Sequence, residues 1–248
     1  MSIAEKFEVI ADAVYDKGRQ DEWSDFWDVY QVEGKRTHYG SAFGVYTTSH
    51  STYWNDQIYK PKYDIRPSNM DRMYQGCKIT DLATIHYQLG ITLDTSNCTN
   101  FSSAFANSTS LVHIPEISAI KCASTSFNNV FAGCRSLVTI DKIILPETGN
   151  IQFSTTFNNC IVLENITFEG AIGNNISFAD CSLLSAESLI SIIKHLVQNP
   201  DASASERKTL SIHPTAFERL GVWGSPSDAG IDFDGGWSWY LESIGWDI

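Results

Sequence analysis

The stretch that decides the fold is FAGCRSLVTI at residues 131–140. Its pattern of Phe, a small residue, Leu and Ile recurs at one constant interval on either side, as FANSTSLVHI at 105–114 and as FNNCIVLENI at 157–166. A fourth copy, with Phe178, Cys181 and Leu184, follows the third after a shorter interval. Such regular self-similarity is typical of a solenoid, in which each unit has an apolar face that its neighbours cover.

Each full copy has another Phe four residues upstream, at Phe101, Phe127 and Phe153, so that Phe105, Phe131 and Phe157 are the second Phe of their copies. Since four residues make one helical turn, the two Phe side chains of a copy should fill the interior from one side. The Leu and Ile tails end with alternating apolar residues, which predicts short strands that stack as neighbouring rungs. We therefore expect these repeat residues to be structural: Phe105, Leu111, Ile114, Phe131, Cys134, Leu137, Ile140, Phe157, Cys160, Leu163 and Ile166.

Two degenerate repeats are predicted before the clear ones. Tyr39 and Phe43, then Met70 and Tyr74, have the same spacing of four as the Phe pairs, and the interval from Tyr39 to Met70 equals that from Met70 to Phe101. Residues two positions after the second Phe of a copy are types that tolerate unusual backbone angles. These residues are Asn107, Gly133, Asn159 and Asp180.

Four of the six cysteines follow the repeat. Cys134, Cys160 and Cys181 occupy one position, where copy one has Ser108, so we expect small inward-facing side chains and reduced thiols. Neighbouring rungs lie ~5 Å apart, so a pair of these sulfurs could still meet. Cys77 fits the same series, while Cys98 and Cys122 fall outside it, and no CxxC spacing indicates a zinc site.

The segments on either side of the repeats differ from them in pattern. Residues 1–35 contain two amphipathic helical stripes that either pack on the domain or dock it to copies of itself or to a scaffold. In residues 185–248, Ser185 could cap a helix that ends near 199–200. A strand at 209–212, a short helix at 214–220, a loop at 221–236, a helix at 237–244 and a terminal strand should follow.

The predicted architecture is therefore an α/β chain with three parts. A helical segment at 1–35 precedes a leucine-rich-repeat-like solenoid at 36–184, whose clear repeats lie at 98–184. An α/β cap at 185–248 would cover the last apolar face of the solenoid.

Composition limits the classes of partner. The formal net charge of −12 argues against nucleic acid or an anionic membrane, since either would require a basic face. Such a charge most often serves solubility, with an acidic binding face as the alternative. No stretch approaches the ~20 apolar residues of a membrane span, and the N-terminus does not read as a signal peptide.

No pattern indicates catalysis or a cofactor. The six histidines have no metal-ligand spacing, and the acidic, glycine-containing loop at 232–236 lacks the remaining ligands of an EF-hand. We expect a non-enzymatic protein without cofactor or metal.

The motif Phe-x-x-Cys-x-x-Leu-x-x-Ile, at 131–140 and 157–166, resembles the BspA-like (treponemal type) leucine-rich repeat. A second likeness, to leucine-rich-repeat proteins encoded among tail structural genes of phages and prophages of gut Firmicutes, rests on four segments. They are FWD at 26–28, KYDIRP at 62–67, IDKIIL at 140–145 and LENI at 163–166. The resemblance implies binding or assembly and transfers no catalytic residue.

The resemblance to phage proteins implies an accessory tail or capsid protein, assembled into the virion in the host cytoplasm, with a homo-oligomer as one form it could take. It would bind other virion or scaffold proteins and present the repeat face to a host-surface protein or glycan. The alternative is a bacterial cell-surface or secreted adhesin. Candidate contact residues are Tyr53, Trp54, Tyr59, His113 and Lys142.

Overall fold

The computed structural model describes residues 69–72, 74–76 and 94–248, together with the backbone of 63–65 and 91–93. The predicted helical stripes of 1–35 and the degenerate repeat at Tyr39 and Phe43 lie outside the described residues. So do Cys77 and the candidate contact residues Tyr53, Trp54 and Tyr59.

The described chain contains short parallel strands and three α-helices, and the last two strands alternate with the helices. The strands are β1 Tyr63–Ile65, β2 Ile91–Leu93, β3 His113–Ile114, β4 Ile117–Ser118, β5 Thr139–Ile144, β6 Asn165–Glu169, β7 Ile176–Phe178, β8 Lys208–Ile212 and β9 Trp246–Asp247. The helices are α1 Ala186–Lys194, α2 Pro214–Phe217 and α3 Trp237–Ser243, with 3-10 helices at Glu218–Trp223 and Ser227–Ala229.

The predicted tails pair as neighbouring rungs with the period of the repeat. Ile114 of β3 is the partner of Ile140 of β5, which is in turn the partner of Ile166 of β6, and all of these pairings are parallel. The third tail reaches its last buried position one residue sooner, so the register shifts and Ile143 pairs with Phe168. Equivalent residues of successive repeats are therefore hydrogen-bonded neighbours along the strands.

The aromatic positions form two columns through the interior. One column is an offset stack with ring centroids 4.6–5.8 Å apart and planes within 23° of parallel, made of Tyr74, Phe105, Phe131, Phe157 and Phe178. In the other, Phe101, Phe127 and Phe153 meet edge to face at 5.7 and 6.0 Å. Both geometries are favoured by the quadrupole of the ring. The eleven repeat residues predicted to be structural are all at most 2% exposed.

The segment between the two Phe residues of a copy is a chain of turns, so the prediction of a helical turn is wrong there. Ala104 and Ser108 donate their N–H groups to Phe101 and Phe105, three residues back, while the N–H groups of Phe101 and Phe105 bond to carbonyls of the next repeat. Residues with left-handed φ values of +53° to +79° orient the peptides for these inter-repeat bonds: Ser103, Asn107, Asn129, Gly133, Thr155 and Asn159.

All four predicted turn positions lie in turns, but only Asn107, Gly133 and Asn159 have a positive φ. Asp180 does not have a positive φ. Its carboxylate instead accepts the N–H of Asn159 at 2.8 Å, so a side chain replaces the backbone carbonyl where the shorter fourth copy begins.

Helix α1 lies along the free edge of β6. Its N-cap Ser185 accepts a hydrogen bond from the Ser188 N–H, as predicted. The Ser188 and Ser191 hydroxyls accept the N–H groups of Ile166 and Phe168 at 2.9 and 3.0 Å. These side chains satisfy donors that an edge strand would otherwise leave unpaired.

The strands of the C-terminal part form a separate three-stranded parallel sheet, in the order β7-β8-β9. Helix α1 ends at Lys194, earlier than predicted, because the chain that follows pairs with the Ile172 backbone. The short helix after Pro214 continues as the 3-10 helix Glu218–Trp223, and the predicted loop contains the 3-10 turn Ser227–Ala229. The Arg219 guanidinium donates to the carbonyls of Ser182 and Leu184, which ties this region to the fourth copy.

Candidate binding surface

The parallel register places outward-pointing side chains of successive repeats side by side. We call the surface formed by His113, Glu116, Asp141, Lys142, Thr167 and Glu169 the strand face. Its residues are exposed or half-buried, whereas the intervening Ile114, Ile140 and Ile166 are buried. Because side chains alternate along a strand, each short strand contributes both to the exposed surface and to the buried core.

Lys142 lies between two carboxylates supplied by the neighbouring repeats. Its Nζ is 3.5 Å from Glu116 and 3.3 Å from Glu169, and the side chain is 38% exposed. The hydrogen bond to Glu169 and the attraction of both carboxylates raise the pKa of Lys142. Exposed ion pairs contribute little to stability. The triad therefore matters mainly for where it places the ammonium group, between the two carboxylates.

His113 lies beside a third carboxylate. Its Nε2 is 3.0 Å from Asp141 Oδ1, and the Thr167 hydroxyl donates to the Asp141 carbonyl. The two candidate contact residues that the structure describes, His113 and Lys142, are therefore on one surface and both already bonded to acidic neighbours. The strand face has more carboxylates than cationic groups, as the overall charge suggests.

The five cysteines that the structure describes are buried and free: Cys98, Cys122, Cys134, Cys160 and Cys181. Burial raises the pKa of Cys98 to about 11 and those of Cys134 and Cys181 to about 12, and it also raises the pKa values of Cys122 and Cys160. A thiol is a nucleophile only as the thiolate, so these five residues are structural at neutral pH.

Their hydrogen bonds explain why Ser108 replaces Cys in the first copy. Ser108 Oγ donates to the Tyr74 carbonyl at 2.6 Å, and the Cys134 and Cys160 thiols point at the carbonyls of Phe105 and Phe131 at 3.0 and 3.2 Å. The repeat thus places a small side chain with a hydrogen-bond donor at this position. The sequence prediction recognised the small size but not the donor.

Sequence reasoning did not single out a second surface feature, near the C-terminus. Trp239 on α3 is 68% exposed and faces an open groove. The buried stripe of this helix consists of Trp237, Tyr240 and Leu241, so Trp239 falls outside the core pattern. The available sign in the sequence was a third large aromatic residue in the predicted helix at 237–244, outside its buried stripe.

Within the described ranges, no group of three or more His, Cys, Asp and Glu side chains is placed to hold a metal ion. None of the helices seen there is long and apolar enough to cross a membrane. No protein-family model, curated protein or solved structure matches this chain.

Proposed function

We propose that this chain is a non-enzymatic structural protein of a phage or prophage virion, an accessory component of the tail or capsid. In this proposal residues 36–184 form a leucine-rich-repeat-like solenoid, and residues 185–248 form its α/β cap. Residues 1–35 attach it to other virion or scaffold proteins. The strand face then binds a protein or a host-surface glycan.

The observation that carries the proposal is the parallel pairing of β3, β5 and β6 in the period of the repeat. Such pairing lines up the outward side chains of each unit into one continuous surface, which is how repeat proteins build extended binding sites. The resemblance to BspA-like repeats and to phage tail proteins adds the class of partner.

The ion pairs of Lys142 and the hydrogen bond of His113 fit a recognition role. Lys142 and His113 are each held by carboxylates from a neighbouring repeat, so the surface is organised before a partner arrives. Preorganised side chains lose less conformational freedom on binding. The excess of carboxylates suits a partner with cationic or hydroxyl groups.

The proposal is tested in a lysogen that carries the gene. After induction, particles are purified on a density gradient and their proteins are quantified by mass spectrometry. We expect this chain at a fixed ratio to the major tail or capsid protein across the particle fractions. Its absence from particles, with recovery in the cell envelope or medium, would contradict the proposal and support a surface adhesin.

A charge reversal tests the role of the strand face. Lys142→Glu would place a third carboxylate between Glu116 and Glu169, so we expect weaker binding of particles to host cells with unchanged incorporation of the protein. The matched control is Lys194→Glu, which makes the same charge change on helix α1, outside the strand face. Equal effects of the two variants on host binding would mean that the strand face is not the contact surface.

A further inference from the structure

The C-terminal groove has the composition of a small-ligand site. It has a volume of about 500 Å³, and its lining includes Arg207, Phe233, Asp234, Trp239, Glu242 and Ser243. This volume lies within the ~300–1,000 Å³ range of small-molecule sites. The groove is formed by α3, the loop before it and the segment that precedes β8, so it is separate from the strand face.

The aromatic side of the groove is built and anchored. The Phe233 ring packs edge to face on the buried Tyr240, with centroids 5.3 Å apart. A β-carbon at Gly235 would lie 2.6 Å from the Phe233 ring and 3.3 Å from the Trp239 ring, so both rings close over this glycine. Trp239 remains 68% exposed, whereas Trp237 and Tyr240 on the same helix are buried.

The polar side offers both acceptors and a donor. Among the residues that the structure describes, the carboxylates of Asp234 and Glu242 have no hydrogen-bond or ion-pair partner. Arg207 extends one nitrogen to Asp247 at 3.2 Å, and its other N–H groups remain available to a ligand. The groove therefore presents an aromatic face beside two carboxylates and a guanidinium group.

Charges of both signs favour a neutral ligand. An anion would meet Asp234 and Glu242, and a cation would meet Arg207, whereas hydroxyl groups can donate to the carboxylates and accept from the guanidinium. A ligand that also has an apolar face can cover the indole. A pyranose ring has this combination, with C–H bonds on its faces and hydroxyl groups around its edge.

We propose that this groove is a carbohydrate-binding site that takes a neutral saccharide, stacked on Trp239 and hydrogen-bonded to Asp234, Glu242 and Arg207. The site lies outside the strand face, and its existence does not depend on whether the protein belongs to a virion.

The test uses the full-length protein and named probes. Lactose, maltose and N,N′-diacetylchitobiose serve as neutral saccharides, N-acetylneuraminic acid as the anionic probe and glucosamine as the cationic probe. Saturation-transfer NMR detects weak binding, and titration of the tryptophan indole signals gives the affinity. We expect at least one neutral probe to bind and to perturb the Trp239 signal, with weaker or no binding of the charged probes.

Substitution then locates the site. Trp239→Ala should weaken binding by about tenfold or more, because the stacking surface is lost, and Trp239→Phe should retain part of it. Both variants should fold, since the side chain is mostly exposed. The control is Val222→Ala, which removes another exposed apolar side chain, 84% exposed, outside this groove.

Three results would overturn the proposal. They are no binding of any neutral probe, preference for a charged probe, and binding that Trp239→Ala leaves unchanged. If a glycan bound with full affinity to Trp239→Ala but not to Lys142→Glu, the strand face would be the glycan site and the groove would not. That result would leave the proposed function of the repeat surface in place.

Discussion

At the scale of single residues, the Cys and Ser side chains of the repeat act as donors between neighbouring units. Cys160 is fully buried, and its thiol points at the Phe131 carbonyl, which also accepts the Cys134 N–H. Ser108 makes the equivalent bond to Tyr74. The side chain at this position must be small enough for the interior and must still donate a hydrogen bond.

Replacement of Cys160 by Ser and by Ala separates size from donation. Cys160→Ser keeps a donor, so it should lower the free energy of unfolding less than Cys160→Ala does. The difference should be about 0.5–1.5 kcal/mol, the usual net contribution of one hydrogen bond. Chemical denaturation of both variants measures it. An Ala variant as stable as the Ser variant would mean that the position selects only for small volume.

The raised thiol pKa values predict a dependence on pH. A group whose pKa is raised by folding stabilises the protein below its unfolded value and loses that contribution as pH rises towards its folded value. For Cys134 this window runs from about 9.0 to about 12. We expect alkylation at pH 9 to spare Cys134 and Cys181 in the folded protein and to label them after denaturation, as peptide mapping would show. Rapid labelling of the native protein would contradict their burial.

At the scale of elements, the turn segments join the repeats as much as the strands do. In each full copy the residues two positions before and two positions after the second Phe have a left-handed φ. They direct backbone N–H groups towards the next repeat. The sequence indicates some of these left-handed positions, because Asn and Gly favour such angles. Ser103 and Thr155 also adopt them, although neither residue type favours the conformation, so their role could not be predicted without the inter-repeat hydrogen bonds.

Gly133 offers a direct test of the turn segments. Its φ is +79°, and an added β-carbon would lie 2.5 Å from the Asn107 side-chain oxygen of the preceding repeat. Gly133→Ala should therefore lower the free energy of unfolding by about 1–3 kcal/mol. The control is Gly221→Ala, where no atom lies within 4 Å and φ is not in the left-handed region. Similar stability of the two variants would contradict the described turn geometry.

Helix α1 protects the last strand of the repeat sheet through serine side chains. Ser188 is 3% exposed, accepts the Ile166 N–H and donates to the Glu164 carbonyl. Its removal would leave a buried donor unpaired.

Ser188→Ala should lower the free energy of unfolding by about 1–3 kcal/mol, the cost of an unsatisfied buried group. It should also speed hydrogen exchange of the Ile166 amide, which NMR can follow. Glu187→Gln, an exposed change one residue away on the same helix, is the control. Unchanged exchange at Ile166 in the Ser188 variant would show that α1 does not cap this edge.

At the scale of the whole molecule, the repeat predicted much of what the structure describes. Positions such as Phe131, Leu137 and Ile140 recur with the repeat. Because recurring apolar positions must face the interior and align with their equivalents, the sequence was sufficient to predict their burial and the pairing of their strands. The strand face was less predictable, because the contacts of Lys142 with Glu116 and Glu169 depend on which side chains the register brings together. The groove at Trp239 depends on loop packing that has no period.

In this structure the described repeats stack in register, each one covering the interior of the next. Methyl NOE spectroscopy on isoleucine-labelled full-length protein tests it most directly, with single Ile→Val changes to assign the signals. Neighbouring strands lie ~4.8 Å apart, so we predict cross-peaks between Ile114 and Ile140 and between Ile140 and Ile166. We predict none between Ile114 and Ile166, which are two strands apart. Missing neighbour peaks, or a direct contact between Ile114 and Ile166, would contradict the stacked arrangement.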